Sequence, residues 1–377
     1  MNKIRYTNID TLLFNILLMC GALFLAISPL RISTIRRAIV FIGSGCFYIV
    51  AARTLIHKEI KSIYFIGISS VLAIMIIGGV ATCQGNFIEL VYQCLNFTAL
   101  IFIIVFDGKN VVQDERESVY RFSIIATIIL SLGAFMPGAY IFEDGRRTGA
   151  LTLGMTNPNF TAMMIGAVYN LLVIFFKEKK KIWMLPLMGW LLYLLILTEA
   201  RSCLIMSLIV TIYALFLSRL KVHRFAILVT VLASIIIVPI YLYLYRSKFS
   251  DFQFMGKQFF SGRQSTYQEI LNYITTPLQM IFGNLGMVHF QNAHNAPLSV
   301  MCSIGITGMI TVYLMYIAKL FEVNDGLKSP EMRVAFVCIL ATFVQSSAEA
   351  LMLTGHFSGM LFMYIYRQLA MSEENIQ

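Results

Sequence analysis

The chain has 377 residues, of which 58% are hydrophobic and only 13% are charged, and its mean hydropathy is +0.77. A soluble domain carries about 25% charged residues, so this composition excludes a soluble enzyme and indicates a polytopic membrane protein. The net charge of +10 does not indicate nucleic-acid binding, because an excess of Lys and Arg in cytoplasmic loops explains it more simply.

The first apolar run follows Lys3 and Arg5, as it would in a signal peptide, but no small-residue cleavage site is present and further apolar runs follow. We therefore expect a retained first span. The seven cysteines show no metal-ligand spacing, and most lie in apolar runs, where Cys behaves as a small hydrophobe.

Apolar runs of about 20 residues, the length needed to cross the hydrocarbon core, recur along the whole chain. They predict an all-α polytopic membrane protein with about twelve transmembrane helices in a single domain, 1–377. The predicted spans are 10–30, 36–53, 62–82, 87–106, 121–142, 159–176, 182–198, 202–218, 224–245, 296–319, 333–351 and 356–371. The one long polar interruption, 246–295, is expected to be a periplasmic or extracellular loop between spans 9 and 10.

The distribution of basic residues predicts the orientation of these spans. With both termini in the cytoplasm, most of the 29 Lys and Arg residues fall on the cytoplasmic side, as the positive-inside rule requires. The basic residues that fall outside are Arg31, Arg36, Arg37, Arg146, Arg147, Arg201, Arg246, Lys248, Lys257 and Arg263. The first three are explained equally well as residues that flank short first spans.

Two of the outer segments place arginines beside other polar residues. Arg201 lies between two apolar runs with almost no loop, and an ionisable residue at that depth usually faces a polar cavity or a partner. Glu199 is the obvious partner, so a simple ion pair is the alternative. Arg147 precedes Asn157-Pro158-Asn159, where Asn as a cap and Pro at an early position indicate the start of a helix.

The long loop contains a predicted short helix with Arg263 at its start. Tyr267, Ile270, Leu271 and Ile274 are spaced as one helical face, with Ser265 as the expected N-cap. We expect this amphipathic helix to lie at the membrane surface.

Polar residues near the last spans complete the candidate site. His294 and Asn295 immediately precede span 10, Glu349 lies late in span 11, and His356 begins span 12. Several arginines on one side indicate an anionic ligand, since Arg binds phosphate oxygens in a bidentate manner. A His near a bound phosphate has the right pKa range for a general base.

The sequence contains no nucleotide-binding or hydrolase motif and no carboxylate pair in the outer loops for a divalent metal. We therefore predict no cofactor and no metal. A membrane-borne, anionic and already activated substrate fits best, and a lipid-linked phosphate sugar has these properties.

Four pieces in the order RRTGALTLGMTNPNFTA (146–162), LTEARSCL (197–204), FSGRQSTYQEI (260–270) and HNAPLSVMCSIGITGMI (294–310) carry a family resemblance. The chain resembles the bacterial O-antigen polymerase and O-antigen ligase superfamily, which includes capsular polysaccharide polymerases. The resemblance covers roughly residues 140–320. It implies a metal-independent, type-C-like glycosyltransferase in the bacterial cytoplasmic (inner) membrane, with its active site facing the periplasm or cell exterior and an undecaprenyl-pyrophosphate-linked oligosaccharide as donor.

The resemblance also implies residue roles. Arg147, Arg201 and Arg263 match the family's pyrophosphate-binding arginines, and His294 matches its loop histidine, the expected catalytic base. Supporting roles are expected for Asn157, Asn159, Glu199, Asn295 and Glu349. Glu199 departs from the family pattern, because many relatives carry a small hydroxyl or neutral residue there.

The expected function is polymerisation of lipid-linked repeat units for O-antigen or capsular polysaccharide, with a chain-length regulator and a flippase as possible partners. The nearest alternative is an O-antigen ligase, which transfers the glycan to lipid A core. A lipid-linked oligosaccharide flippase is the alternative from another class, although it predicts two related halves and the sequence has no internal repeat. An assembly subunit without chemistry is a further alternative.

Overall fold

The structure is a computed structural model that describes residues 2–57, 60–82, 87–107, 113–141, 149–155, 157–245, 253–254, 257–258, 263–287, 290 and 294–371. These residues are almost entirely helical, because a chain in lipid must satisfy its backbone N–H and C=O groups internally. The helices are α1 (Asn2–Ile27), α2 (Ser33–Ile56), α3 (Ser62–Thr82), α4 (Phe87–Val105), α5 (Gln113–Ala134), α6 (Pro158–Lys179), α7 (Met184–Leu197), α8 (Arg201–Ile212), α9 (Arg224–Tyr245), α10 (Arg263–Leu271), α11 (Pro277–Phe282), α12 (Ala296–Gly326), α13 (Pro330–Ser346) and α14 (Phe357–Met371).

Short elements connect some of these helices. Two antiparallel hairpins of two-residue strands pair β1 (Tyr140–Ile141) with β2 (Ala150–Leu151) and β3 (Gln253–Phe254) with β4 (Lys257–Gln258). A 3₁₀ turn follows α1 and another, Leu351–Leu353, precedes α14, while a π-helical turn, Tyr213–Leu217, continues α8.

Each of the twelve predicted spans overlaps one helix, which is one of α1–α9 or α12–α14. Among the described residues, seven helices are long and apolar enough to cross a membrane, namely α1–α6 and α12. The apolar helices α7, α8 with its π-helical turn, and α9 are shorter. The prediction of an all-α protein with membrane-length apolar helices is thus confirmed at this level.

The predicted fifth span, 121–142, is wrong at both ends, because α5 runs from Gln113 to Ala134. The helix begins earlier because its charged first turns bind the end of α6. Arg116 Nε lies 2.8 Å from Glu178, and Lys179 Nζ lies 2.9 Å from Glu117.

The predicted eleventh span, 333–351, also ends too late. α13 begins after Ser329, whose side chain accepts a hydrogen bond from Met332 N–H, and it ends at Ser346. In its last turn the hydroxyls of Ser346 and Ser347 donate to backbone carbonyls, which competes with continuation of the helix. Glu349 therefore lies in a turn beyond α13 rather than inside the helix.

The centre of the bundle is built from α6, α13 and α14. Every residue of α14 from Phe357 to Ala370 is buried, and α6 is buried from Phe160 to Phe175. α14 packs against α1, α2, α4 and α13, while α6 packs against α5, α7, α8 and α13. The beginnings of α6 and α14 consequently meet at one end of the bundle.

The amphipathic helix of the long loop is present as α10, but its apolar face contacts protein. Tyr267 and Ile270 are buried and pack with Val238 of α9 and with Leu298 and Cys302 of α12. The expectation that Ser265 is the N-cap is wrong, because α10 already begins at Arg263.

α12 is interrupted, although its sequence resembles one continuous apolar helix. Gly305 has φ 73° and ψ 176°, a conformation that is essentially restricted to Gly. The break divides α12 into a short piece, 296–304, and a long piece, 306–326. Gly283, which follows α11, has a similar conformation with φ 84° and ψ −179°.

Charged side chains connect several helices at the end of the bundle where α4, α12 and α14 finish. Lys319 of α12 is only 2% exposed and pairs with Asp107, which follows α4, and with Glu322 at 3.3 Å. Glu322 also accepts hydrogen bonds from Lys61 Nζ at 2.8 Å and from the Tyr64 hydroxyl at 2.9 Å.

Arg367 of α14 lies beside these groups and is 1% exposed. Its Nε donates to the Ile104 carbonyl at 3.0 Å and its Nη2 to the Phe106 carbonyl at 2.9 Å. A cation at this position satisfies the last carbonyls of α4 and complements the helix dipole. We call Lys61, Asp107, Lys319, Glu322 and Arg367 the charged cluster.

Candidate functional site

A cavity of about 830 Å³ lies at the end of the bundle opposite the charged cluster. It is formed by the end of α1, the amino-terminal parts of α2, α4 and α6, His294 just before α12, the turn after α13 and His356 just before α14. Its polar lining residues are Arg36, Arg37, Tyr92, Asn157, His294, Glu349 and His356. All of these helix ends belong to the side that the distribution of basic residues predicts to be external.

His294 is held in place by the residue that follows it. The Asn295 side chain accepts a hydrogen bond from Leu298 N–H at 2.8 Å and so caps α12. Its Nδ2 donates to the Ser347 carbonyl at 2.9 Å, which ties the start of α12 to the turn after α13. His294 itself has a positive φ of 46°, which is uncommon for a residue other than Gly and directs its side chain toward that turn.

The His294 imidazole contacts a buried carboxylate. Its Nδ1 lies 3.2 Å from Glu349 Oε2, and the side chain of His294 is 40% exposed whereas that of Glu349 is 1% exposed. Asn159 Nδ2 donates to the other carboxylate oxygen, Oε1, at 2.5 Å. The three side chains therefore form a chain of hydrogen bonds, Asn159–Glu349–His294.

This chain selects one tautomer of the histidine. An ionised carboxylate only accepts hydrogen bonds, so with Glu349 ionised this contact requires the proton on Nδ1 of His294, and Nε2 of the neutral ring then carries a lone pair. Among the described residues, no hydrogen-bond partner contacts Nε2. His294 can thus accept a proton from a molecule in the cavity, and Glu349 stabilises the imidazolium that forms.

Two arginines at the start of α2 give the cavity its positive charge. Arg36 is half-buried, with Nη1 3.9 Å from Met155 Sδ, and Arg37 is exposed. The amino-terminal ends of α2, α6, α12 and α14 also face this end of the bundle, and each carries a partial positive charge. The cavity can therefore bind an anion beside His294.

His356 is the second histidine of the cavity, and its environment differs from that of His294. Its Nδ1 is 2.8 Å from Ser358 Oγ, and its ring packs edge-on against Phe160 at 4.9 Å. His356 thus contacts a hydroxyl group and an aromatic ring, whereas His294 contacts a carboxylate.

The two predicted asparagines of the turn before α6 have separate tasks. Asn157 caps α6 by accepting a hydrogen bond from Asn159 N–H at 2.9 Å, with Pro158 at the first helical position, as the sequence predicts. Asn157 also lines the cavity, whereas Asn159 donates a hydrogen bond to Glu349, which lines it.

The arginines predicted to bind pyrophosphate do not line the cavity, as far as the structure describes their side chains. Arg201 is half-buried at the first position of α8, Glu199 two residues earlier has a positive φ of 56°, and both interact with other groups in the fold. Neither lines the cavity. Arg147 and the side chain of Arg263 lie outside the described residues, although the backbone of Arg263 begins α10.

Sequence patterns do not single out Arg36, Arg37 and Tyr92 as site residues. The signal for the arginines was present, because they violate the positive-inside rule. The alternative of flanking charges accounted for them as well. Tyr92 gave no signal, since it is one aromatic residue in an apolar run; its hydroxyl lies 3.3 Å from Ser44 Oγ.

The described residues contain no group of three His, Cys, Asp or Glu side chains placed to hold a metal ion. No family model matches the chain, and no curated protein matches it significantly.

Proposed function

We propose that the protein is a glycosyltransferase that polymerises lipid-linked oligosaccharide repeat units, using an undecaprenyl-pyrophosphate-linked glycan as donor. The observation that carries the proposal is the contact of His294 Nδ1 with buried Glu349 beside the paired arginines of α2. This arrangement combines a general base with an anion-binding surface. A transfer from a pyrophosphate carrier to a hydroxyl group needs both.

The proposed step forms one glycosidic bond and breaks one bond to phosphate. His294 Nε2 takes the proton of the acceptor hydroxyl while the hydroxyl oxygen attacks the anomeric carbon of the donor. The bond between the anomeric carbon and the phosphate oxygen breaks, and the lipid pyrophosphate leaves with the electron pair. Arg36 and Arg37 stabilise the negative charge that develops on the leaving group.

Arg147, Arg201 and Arg263 remain candidates for binding the same pyrophosphate on the basis of the family resemblance. The proposal also includes twelve spans, a location in the bacterial inner membrane, cytoplasmic termini and a site that faces the periplasm or cell exterior. The position of the cavity and of the charged cluster at opposite ends of α4 and α14 supports access from one face.

Chain extension by the purified protein tests this function. The protein in lipid nanodiscs, supplied with a defined undecaprenyl-pyrophosphate-linked repeat unit, is expected to produce a ladder of longer glycans. His294→Ala should abolish the ladder while the protein remains folded and inserted. A ladder of normal length in that variant would contradict the role of His294, and no ladder from the wild-type protein would contradict polymerisation.

The arginine role has a matched control. Arg36→Lys and Arg37→Lys should each raise the KM for the donor by about 10- to 100-fold, because a lysine cannot reproduce a bidentate contact. Arg31→Lys changes another arginine of the same segment, whose Nη2 donates to the Gly138 carbonyl at 3.0 Å outside the cavity lining. Its donor KM should not change. Equal effects in all three variants would indicate a general structural effect of replacing arginine in this segment.

The alternatives predict other products. A ligase transfers the glycan to lipid A core and makes no ladder on the carrier, and cells without it attach no repeat unit, whereas cells without a polymerase still attach one. A flippase moves the donor across the membrane and makes no covalent product.

A further inference from the structure

We propose that Gly283 and Gly305 together form a positioning device for His294, an inference that rests on the proposed function. Gly305 interrupts α12, and Gly283 ends α11 at the same place. We call the contact between these two backbone segments the glycine crossing. It fixes the direction of the short helical piece 296–304, which begins next to His294.

The two segments touch through their backbones. A Cβ atom on Gly305 would overlap the carbonyl group of Ile281, and one on Gly283 would overlap the carbonyl group of Ser303. Both glycines also have a backbone conformation that other residues rarely adopt. No other residue fits at either position without moving the two segments apart.

Hydrogen bonds hold the crossing on both sides of the break. Asn284 N–H donates to the Cys302 carbonyl at 2.8 Å, so the last turn before the break is bonded to the segment after α11. Beyond the break, Thr307 Oγ1 donates to the Ile281 carbonyl at 2.6 Å. The break is therefore a satisfied structural feature rather than a frayed helix.

The short piece transmits this geometry to the cavity. Nine helical residues are roughly 13 Å long, so a change of about 5° at the break moves the start of the piece by about 1 Å. The piece is held at its start by the bond from Asn295 to the Ser347 carbonyl and along its side by α10. Glu349 lies between α13 and α14, outside this piece. The contact between His294 and Glu349 therefore depends on the angle at the break.

The test compares Gly305→Ala and Gly283→Ala with Gly326→Ala. Gly326 is the last residue of α12 and has open space around it, so it controls for the loss of a glycine in this helix. In the glycan-extension assay the two crossing variants should lose roughly 100-fold in kcat, the effect expected of a 1 Å displacement. Their KM for the donor should not change, because Arg36 and Arg37 belong to α2. Gly326→Ala should behave as the wild type.

A second readout is independent of turnover. Diethylpyrocarbonate modifies accessible histidines, and mass spectrometry of the folded, monodisperse protein measures the rate at His294. The rate in Gly305→Ala should differ from that of the wild type and approach that of Glu349→Ala, in which the partner is absent. A destabilised but correctly positioned site would leave the rate in the folded fraction unchanged.

The outcomes separate this inference from the proposed function. An absence of glycan extension by the wild-type protein would overturn the proposed function. The modification rates would still decide whether the glycine crossing positions His294. Unchanged kcat and an unchanged modification rate in a folded Gly305→Ala protein would overturn the inference. If both alanine variants fail to fold, Thr307→Val removes only the hydroxyl that donates to Ile281 and should show a smaller change of both quantities in the same direction.

Discussion

The buried carboxylate of Glu349 decides which nitrogen of His294 is available to a substrate. Glu349→Gln has nearly the same shape but can donate through its amide to Nδ1, which would place the proton on Nε2. We expect this variant to lose about 10²- to 10⁴-fold in kcat, as other catalytic histidines do in the wrong tautomer. Glycan extension by the folded variant measures the loss. Activity close to that of the wild type would show that the carboxylate is not needed to orient the base.

Single residues of the site could be predicted from the sequence when a local rule applied to them. The cap at Asn157 follows from the Pro158 beside it, and the capping bond is present. His294 is a candidate because arginines are expected on the same side of the membrane and because it matches the loop histidine of the similar family, and it lines the cavity. Arg36 and Arg37 could not be separated from ordinary flanking charges, since the lining of the cavity depends on how α2 packs against distant helices. No pattern within α2 contains that information.

At the scale of elements, two similar N-caps lie at opposite ends of the bundle. Asn295 caps α12 at the cavity, and Ser329 caps α13 at the other end. Ser329→Ala should lower the free energy of unfolding by about 1 kcal/mol, and Asn295→Ala should lower it by more, because it also removes the hydrogen bond to the Ser347 carbonyl. Only Asn295→Ala should also reduce kcat, because it releases the start of α12 from Ser347 next to His294. Equal activity in the two variants would limit Asn295 to a capping role.

The apolar runs predicted the helices but not where they are interrupted. The residues around Gly305 are apolar and helix-compatible, and their hydropathy therefore predicts one continuous span. The break lies where Gly283, a residue outside α12, approaches this helix. The apolar pattern of α12 contains no information about that contact. The end of α13 is predicted too late for a related reason. The apolar sequence continues past Ser346, but the helix ends there, where the hydroxyls of Ser346 and Ser347 donate to backbone carbonyls.

At the scale of the whole molecule, the charged cluster joins α3, α4, α12 and α14. Asp107→Ala would deprive the buried Lys319 of a partner, whereas Lys319→Met would leave Asp107, which is 34% exposed, in contact with water. Removing one partner of a buried pair costs about 3–5 kcal/mol. We expect a loss near that range for Asp107→Ala and a smaller one for Lys319→Met, measured by unfolding in detergent. The opposite order would mean that Lys319 retains sufficient compensation from Glu322.

The charged cluster packs the bundle at one end, and the cavity is at the other. Donor, acceptor and departing lipid pyrophosphate would then all remain at one side of the hydrocarbon layer, and no net charge would cross it during a catalytic cycle. A charge that crosses a membrane gains or loses about 2.3 kcal/mol for each 100 mV. Glycan growth in proteoliposomes should accordingly proceed at the same rate with and without an imposed membrane potential. A de-energised cell envelope would still elongate any repeat unit that has already reached the site.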